Sequence, residues 1–142
     1  MASNAGQEPL IRGVAHVMFR VADLDRALRF YCDTLGMEKA FPFVRENGEH
    51  YGQYIHVGGR TFIELFKADL AAPAEGQSYG HICLDVDDIE KVVRELRERG
   101  VEVSDPKLGT DRSWQAWVTD PDGNRIELHH YTPESKQAPY LR

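Results

Sequence analysis

The chain has 142 residues, 42% hydrophobic and 28% charged, with 17 Lys and Arg against 23 Asp and Glu for a net charge of −6. That is the length and composition of one ordinary globular domain. The acidic balance, without any basic run, argues against nucleic acid or an anionic membrane as a partner, and no apolar run approaches the roughly 20 residues that span a bilayer.

The opening MASNAGQEPL has no basic-then-apolar signal pattern, so a cytoplasmic protein is expected. The first informative segment follows. Val14 to Val21 alternate as a strand, Asp23 stands at a helix N-cap, and Leu24, Ala27, Leu28 and Tyr31 recur at helical spacing until Gly36 stops the helix. GGRTFIELF then reads as a strand carrying Glu64. After the linker ADLAAPAEGQS the same order returns: Ile82, Leu84 and Val86 alternate, Asp87 or Asp88 caps, Ile89, Val92, Val93 and Leu96 make an apolar stripe, and Gly100 ends it. Late in the chain, DPDG has the residues of a type I hairpin turn and feeds the strand NRIELHH. Cys32 and Cys83 stand alone and are expected to be small buried hydrophobes.

Laying His16 over His81 brings Val21 onto Val86, Asp23 onto Asp88 and Leu28 onto Val93. At nearly the same offset Glu64 falls over Glu127. Chance similarity of two amphipathic helices explains the shared stripe, but not a histidine opening and a glutamate closing both copies. The expected class is therefore α+β, with two βαβββ modules over 11–68 and 78–131 forming one domain over 11–131, flanked by polar tails at 1–10 and 132–142.

Successive side chains alternate across a strand, so the apolar residues that pack on the helices leave His16, Glu64, His81 and Glu127 on the opposite face. If each sheet curls into a half barrel and two half barrels face one another, these four converge. Two imidazoles and two carboxylates suit one divalent ion, Ni²⁺, Zn²⁺, Co²⁺, Mn²⁺ or Fe²⁺, with positions left for water or substrate oxygens. Any one of them alone is more often a solvated polar residue; the matching places in a duplicated unit favour the metal. His129 is the further candidate on that face.

HVMFRV with LRFYCDTLGM, then FIEL, YGHICLDV and DPDGNRIEL, resemble the vicinal oxygen chelate superfamily, and within it bacterial glyoxalase I. The resemblance spans about residues 14 to 129. It implies half-barrel modules, a homodimer, one divalent ion per site with nickel or zinc foremost, and a small-molecule substrate, the thiol adduct of an α-ketoaldehyde such as methylglyoxal. It implies metal ligation by His16, Glu64, His81 and Glu127, proton transfer by Glu127 assisted by Glu64, and substrate contacts from Arg20, Lys107 and Trp114. Ala68 stands where the family carries an asparagine that helps hold glutathione. Two other functions remain open: an epimerase or isomerase on another vicinal-oxygen compound, and a metal-free protein that binds a drug or metabolite.

Overall fold

Asp23 accepts a hydrogen bond from the Arg26 amide at 2.9 Å, and Asp88 accepts one from the Lys91 amide at 3.1 Å. Each carboxylate satisfies an amide that a helix start leaves without an intrahelical partner, so the chain turns from strand into helix at both copies, and Asp88 rather than Asp87 is the second cap. Gly36 and Gly100, at φ of 80° and 81°, end both helical segments in the left-handed conformation that glycine adopts without a Cβ penalty.

The computed structural model describes residues 10, 14–71 and 79–141. Most of the linker and most of the N-terminal tail lie outside the described residues. The first unit comprises β1 (His16–Val21), α1 (Leu24–Leu28), β2 (Glu38–Val44), β3 (His50–Gly58) and β4 (Thr61–Lys67). The second comprises β5 (Ile82–Asp85), α2 (Ile89–Glu98), β6 (Lys107–Leu108), β7 (Trp114–Thr119) and β8 (Arg125–His130). The strand orders are β1-β4-β3-β2 and β5-β8-β7-β6, and in each sheet the first strand runs parallel to the last while the other pairs are antiparallel. The repeat read from the sequence is thus a repeat of topology, in the α+β class with half-barrel modules. No helix among the described residues is long and apolar enough to cross a membrane.

One departure lies at α1, which covers five residues and continues as a π-helical turn, Arg29–Thr34, where the spacing predicts a single α-helix. Tyr31, within that turn, is fully buried and donates its hydroxyl to Asp120 Oδ2 at 2.6 Å. Asp120 also accepts from the Asp122 and Asn124 amides at 2.9 and 2.8 Å, and Arg26 and the Ala22 amide both reach Asp122 at 3.1 Å. The DPDG turn therefore does more than reverse the chain: it clamps the second unit to the helix of the first. Phe19, Leu28, Ile63 and Leu65 join Val93, Leu96, Ile126 and Leu128 in one shared core. Burying the apolar face of both sheets there leaves the opposite faces for polar chemistry.

The C-terminal tail, to which the sequence assigns no element, is docked over its described length. Ser135 and Ser113, both buried, share a hydrogen bond of 2.7 Å, and Gln137 donates to Asp111 Oδ2 at 2.6 Å. Thr132 donates to the carbonyl of Arg112 at 2.8 Å, holding the one described non-glycine residue with positive φ, at 65°. Left-handed backbone at such a residue costs about 1–2 kcal/mol, which these tail contacts offset.

Candidate functional site

The cross-strand register sets the site. Glu64 on β4 lies between Met18 on β1 and Tyr54 on β3, and Glu127 on β8 lies between Cys83 on β5 and Trp117 on β7. Each glutamate is therefore held mid-sheet, on the face away from the helices, with its carboxylate turned to the histidine of its own unit. His16 Nε2 is 3.2 Å from Glu64 Oε2, and His81 Nε2 is 3.0 Å from Glu127 Oε2. The histidine side chains are 41% and 40% exposed while the glutamates are 19% and 11% exposed, so both imidazoles stand open to a ligand and both carboxylates are partly withdrawn from water.

Each histidine is steadied by a partner that the sequence reading overlooked. The Tyr54 hydroxyl lies 3.0 Å from His16 Nδ1. In the tautomer with hydrogen on Nδ1 the ring donates to the tyrosine oxygen and leaves a lone pair on Nε2, the arrangement that metal-binding imidazoles adopt. Trp117 packs edge-on against the His81 ring at 4.8 Å, and the Arg125 guanidinium covers the other part of that indole at 4.2 Å. Tyr79 fixes the chain just before His81, accepting from the Ile82 amide at 3.1 Å and donating to the Arg125 carbonyl at 3.0 Å. The signal for Tyr54 and Trp117 was their alternation on the inner strands, readable only once the register to Glu64 and Glu127 was known.

Within one chain the four expected ligands form two pairs. Among the described residues, the one group of three or more ligand-type side chains whose atoms lie within 4.8 Å of one another is Cys83, Glu127 and His129. His129 is 7% exposed and its Nδ1 lies 3.2 Å from Glu127 Oε1. Cys83 is exposed, against the expectation of a buried hydrophobe, because β5 is the edge of its sheet and the residue points away from the helices. Desolvation, then the charges of Glu127, Asp85 and Asp111, push its thiol up to about 12. The Gln137 side-chain hydrogen bond, aided by the Ser113 amide and the nearby His129, holds the Asp111 carboxyl below its ordinary value.

The expected substrate residues divide. Arg20 lies on the Glu64 face of β1, opposite Phe66, and makes no ion pair among the described residues. Lys107 is exposed on β6 opposite Gln115, in the row that continues to His129. Trp114 is not brought to this face: it pairs with His130 and stands beside Val93 and Arg97 of α2. One residue of register in β7 moves every side chain to the other face, and Trp117 occupies the place expected of Trp114. Beside Glu64, Phe41, Phe43, Phe62 and Phe66 add an aromatic wall around Tyr54, with Phe41 stacked on Tyr54 at 4.7 Å.

Each of the two duplicated sheets thus offers one imidazole nitrogen beside one carboxylate, donor types that divalent ions take. Residues 13–128 match the family model described as Glyoxalase/Bleomycin resistance protein/Dioxygenase superfamily. The chain belongs to this glyoxalase superfamily. Among its relatives, a probable lactoylglutathione lyase of Synechocystis sp. is 38% identical over 130 residues, covering 80% of this chain and 91% of its own. The lactoylglutathione lyase of Haemophilus influenzae is 34% identical over 124 residues, covering 81% and 90%. A solved glyoxalase-superfamily fold of another name, TnmS3, an antibiotic binding protein from Streptomyces sp. CB03234, is similar at TM-score 0.71 and 28% identity over 88% of this chain and 100% of its own.

Proposed function

We propose that this chain is a metal-dependent enzyme of the glyoxalase I type, converting the hemithioacetal of methylglyoxal and a cellular thiol to a lactoyl thioester. The observation that carries it is the pairing of an exposed imidazole with a partly buried carboxylate at equivalent places of both sheets, 3.2 and 3.0 Å apart. The donor set fits a divalent ion: His16 and His81 offer Nε2, Glu64 and Glu127 offer Oε2, and Tyr54 braces His16 from behind. Nickel or zinc suits two nitrogens and two oxygens. A bound ion supplies Lewis-acid stabilisation of the negative charge that develops on the substrate oxygens.

The side chains do the rest. Glu127 removes the proton from the carbon that bears sulfur and returns it to the neighbouring carbonyl carbon, a general base and then a general acid, while the hydroxyl proton of the first carbon passes to the oxygen of the second. Glu64 assists from the other sheet. The aromatic wall excludes water from the reacting carbons, and Arg20 and Lys107, both cations on the open face, attract the carboxylates of a thiol such as glutathione. Ala68 removes one side-chain amide from that attraction, so a thiol other than glutathione is an acceptable partner.

The four ligands meet in a homodimer. Among the described residues β1, β2, β5 and β6 each pair on one side only, and the free edges of β1 and β5, the strands next to Glu64 and Glu127, are the ones a second copy covers. In that arrangement the His16–Glu64 pair of one protomer faces the His81–Glu127 pair of its partner. The test is thioester absorbance from methylglyoxal plus glutathione, bacillithiol or mycothiol with Ni²⁺- or Zn²⁺-loaded protein. Formation of thioester with one of these thiols supports the reading; a metal-loaded protein that forms none with any of them refutes it, and tight binding of an antibiotic by metal-free protein would favour the binding function of TnmS3 instead.

A further inference from the structure

The two glutamates are not held alike. Glu64 has one oxygen engaged, Oε2 toward His16. Glu127 has both: Oε2 toward His81 at 3.0 Å, and Oε1 accepting from His129 Nδ1 at 3.2 Å. The repeat places Phe66 where the second unit has His129, so the second contact belongs to one half of the duplication only. A carboxylate is an acceptor, which fixes the hydrogen of this bond on Nδ1.

His129 is itself pinned. Its ring meets Tyr131 edge-on at 4.7 Å, and its Nε2 is buried with no hydrogen-bond partner, 3.6 Å from Asp111 Oδ2. Asp111 is in turn held through Gln137 and the Ser113 amide, at 2.6 and 3.1 Å. A buried ring nitrogen without a partner is a cost that folding alone gives no reason to keep. An apolar ring, as in the first unit, would fill the same space.

We infer that His129 is a positioning residue for Glu127: its Nδ1–H ties down Oε1, keeping Oε2 turned toward His81, and edge-on packing against Tyr131 keeps the ring from turning. The inference rests on the proposed metal site and goes beyond it, since His129 neither ligates the ion nor touches the reacting carbons.

The test compares His129→Phe, which copies the first unit, with His129→Asn, whose side-chain amide nitrogen overlies Nδ1 and still donates. His129→Leu, isosteric with Asn, replaces the Phe variant if that protein does not fold, and thermal unfolding of each variant establishes folding. The readouts are Ni²⁺ affinity of the purified full-length protein by competitive titration, which needs no substrate, and the split between kcat and KM in the thioester assay. The Phe variant is expected to bind Ni²⁺ about tenfold more weakly or worse and to lose kcat by a similar factor with KM little changed, while Asn recovers most of both. Two outcomes overturn the inference alone: wild-type affinity and kcat in the Phe variant, or equal loss in the Phe and Asn variants, which marks a packing role. Wild-type protein that binds no Ni²⁺ removes the metal site itself, and the inference falls with it.

Discussion

Two damaged subunits should repair one another. His16→Ala removes an imidazole from the first unit and His81→Ala from the second, and each homodimer then has both sites broken. Loss of a direct ligand costs at least what loss of a supporting partner does, so each parent falls by about two orders of magnitude or more. The two pairs are separate within one chain, each within its own sheet at 3.2 and 3.0 Å. If sites form across the dimer, a mixed dimer has one site with both histidines lost and one with both intact. Random assortment of equal amounts gives mixed dimers as about half of the total, each with one good site of two, and so about one quarter of wild-type activity. Co-refolding the two variants, then measuring thioester formation and bound Ni²⁺, reads this directly. Activity that never rises above the parents, with exchange verified by tagged subunits, refutes the cross-subunit site.

Tyr31→Phe should cost about 1.5–2 kcal/mol in urea unfolding, since it removes a buried bond to a carboxylate while Asp120 keeps its other donors; a change below about 0.5 kcal/mol would mean the clamp between the units contributes little. Gly52→Ala should destabilise by about 1–3 kcal/mol, because the added Cβ would lie 2.6 Å from Phe66 Cδ1 and 2.9 Å from the Leu65 carbonyl; an unchanged midpoint would show that the aromatic wall yields freely. Cys83, though exposed, should react with iodoacetamide at pH 8 roughly 30- to 60-fold more slowly than a free cysteine, because its thiol is pushed up to about 12. The same shift has a definite sign for stability: a folded value above the unfolded 9.0 gives a contribution complete below pH 9 and lost as the pH rises toward 12. A Cys83→Ser protein should lack that alkaline component in unfolding measured from pH 8 to 11, and an identical profile in both proteins would sink the assignment.

The duplicated topology was legible because helix caps, glycine stops and strand alternation are local, and Asp23, Asp88, Gly36 and Gly100 act within a few residues of themselves. The four histidine and glutamate positions were legible for the same reason, through matching offsets, whereas the pairing of each histidine with the glutamate of its own unit was not. Trp117 and Tyr54 were not, because their roles depend on which residue they oppose across a sheet. Trp114 was assigned to the substrate from the resemblance alone, and the register of β7, with only the two-residue β6 on its outer side, turns it toward α2. The π-helical turn at Tyr31 and the docked tail were hidden by distance: Asp120 is 89 residues from Tyr31, and Gln137 is 26 from Asp111. Cys83 was misjudged from residue type, when its edge strand decided its exposure.

The divergence of the two sheets carries a stereochemical consequence. Met18, Tyr54 and Phe66 beside one glutamate answer to Cys83, Trp117 and His129 beside the other, and the sharpest difference is the apolar Phe66 ring against the hydrogen-bonded His129 ring. Two unaltered copies would have offered the same side chains on both flanks. The two faces of a flat molecule held there would meet different chemistry, so a duplication that has lost its symmetry in this way can hold such a molecule in one orientation.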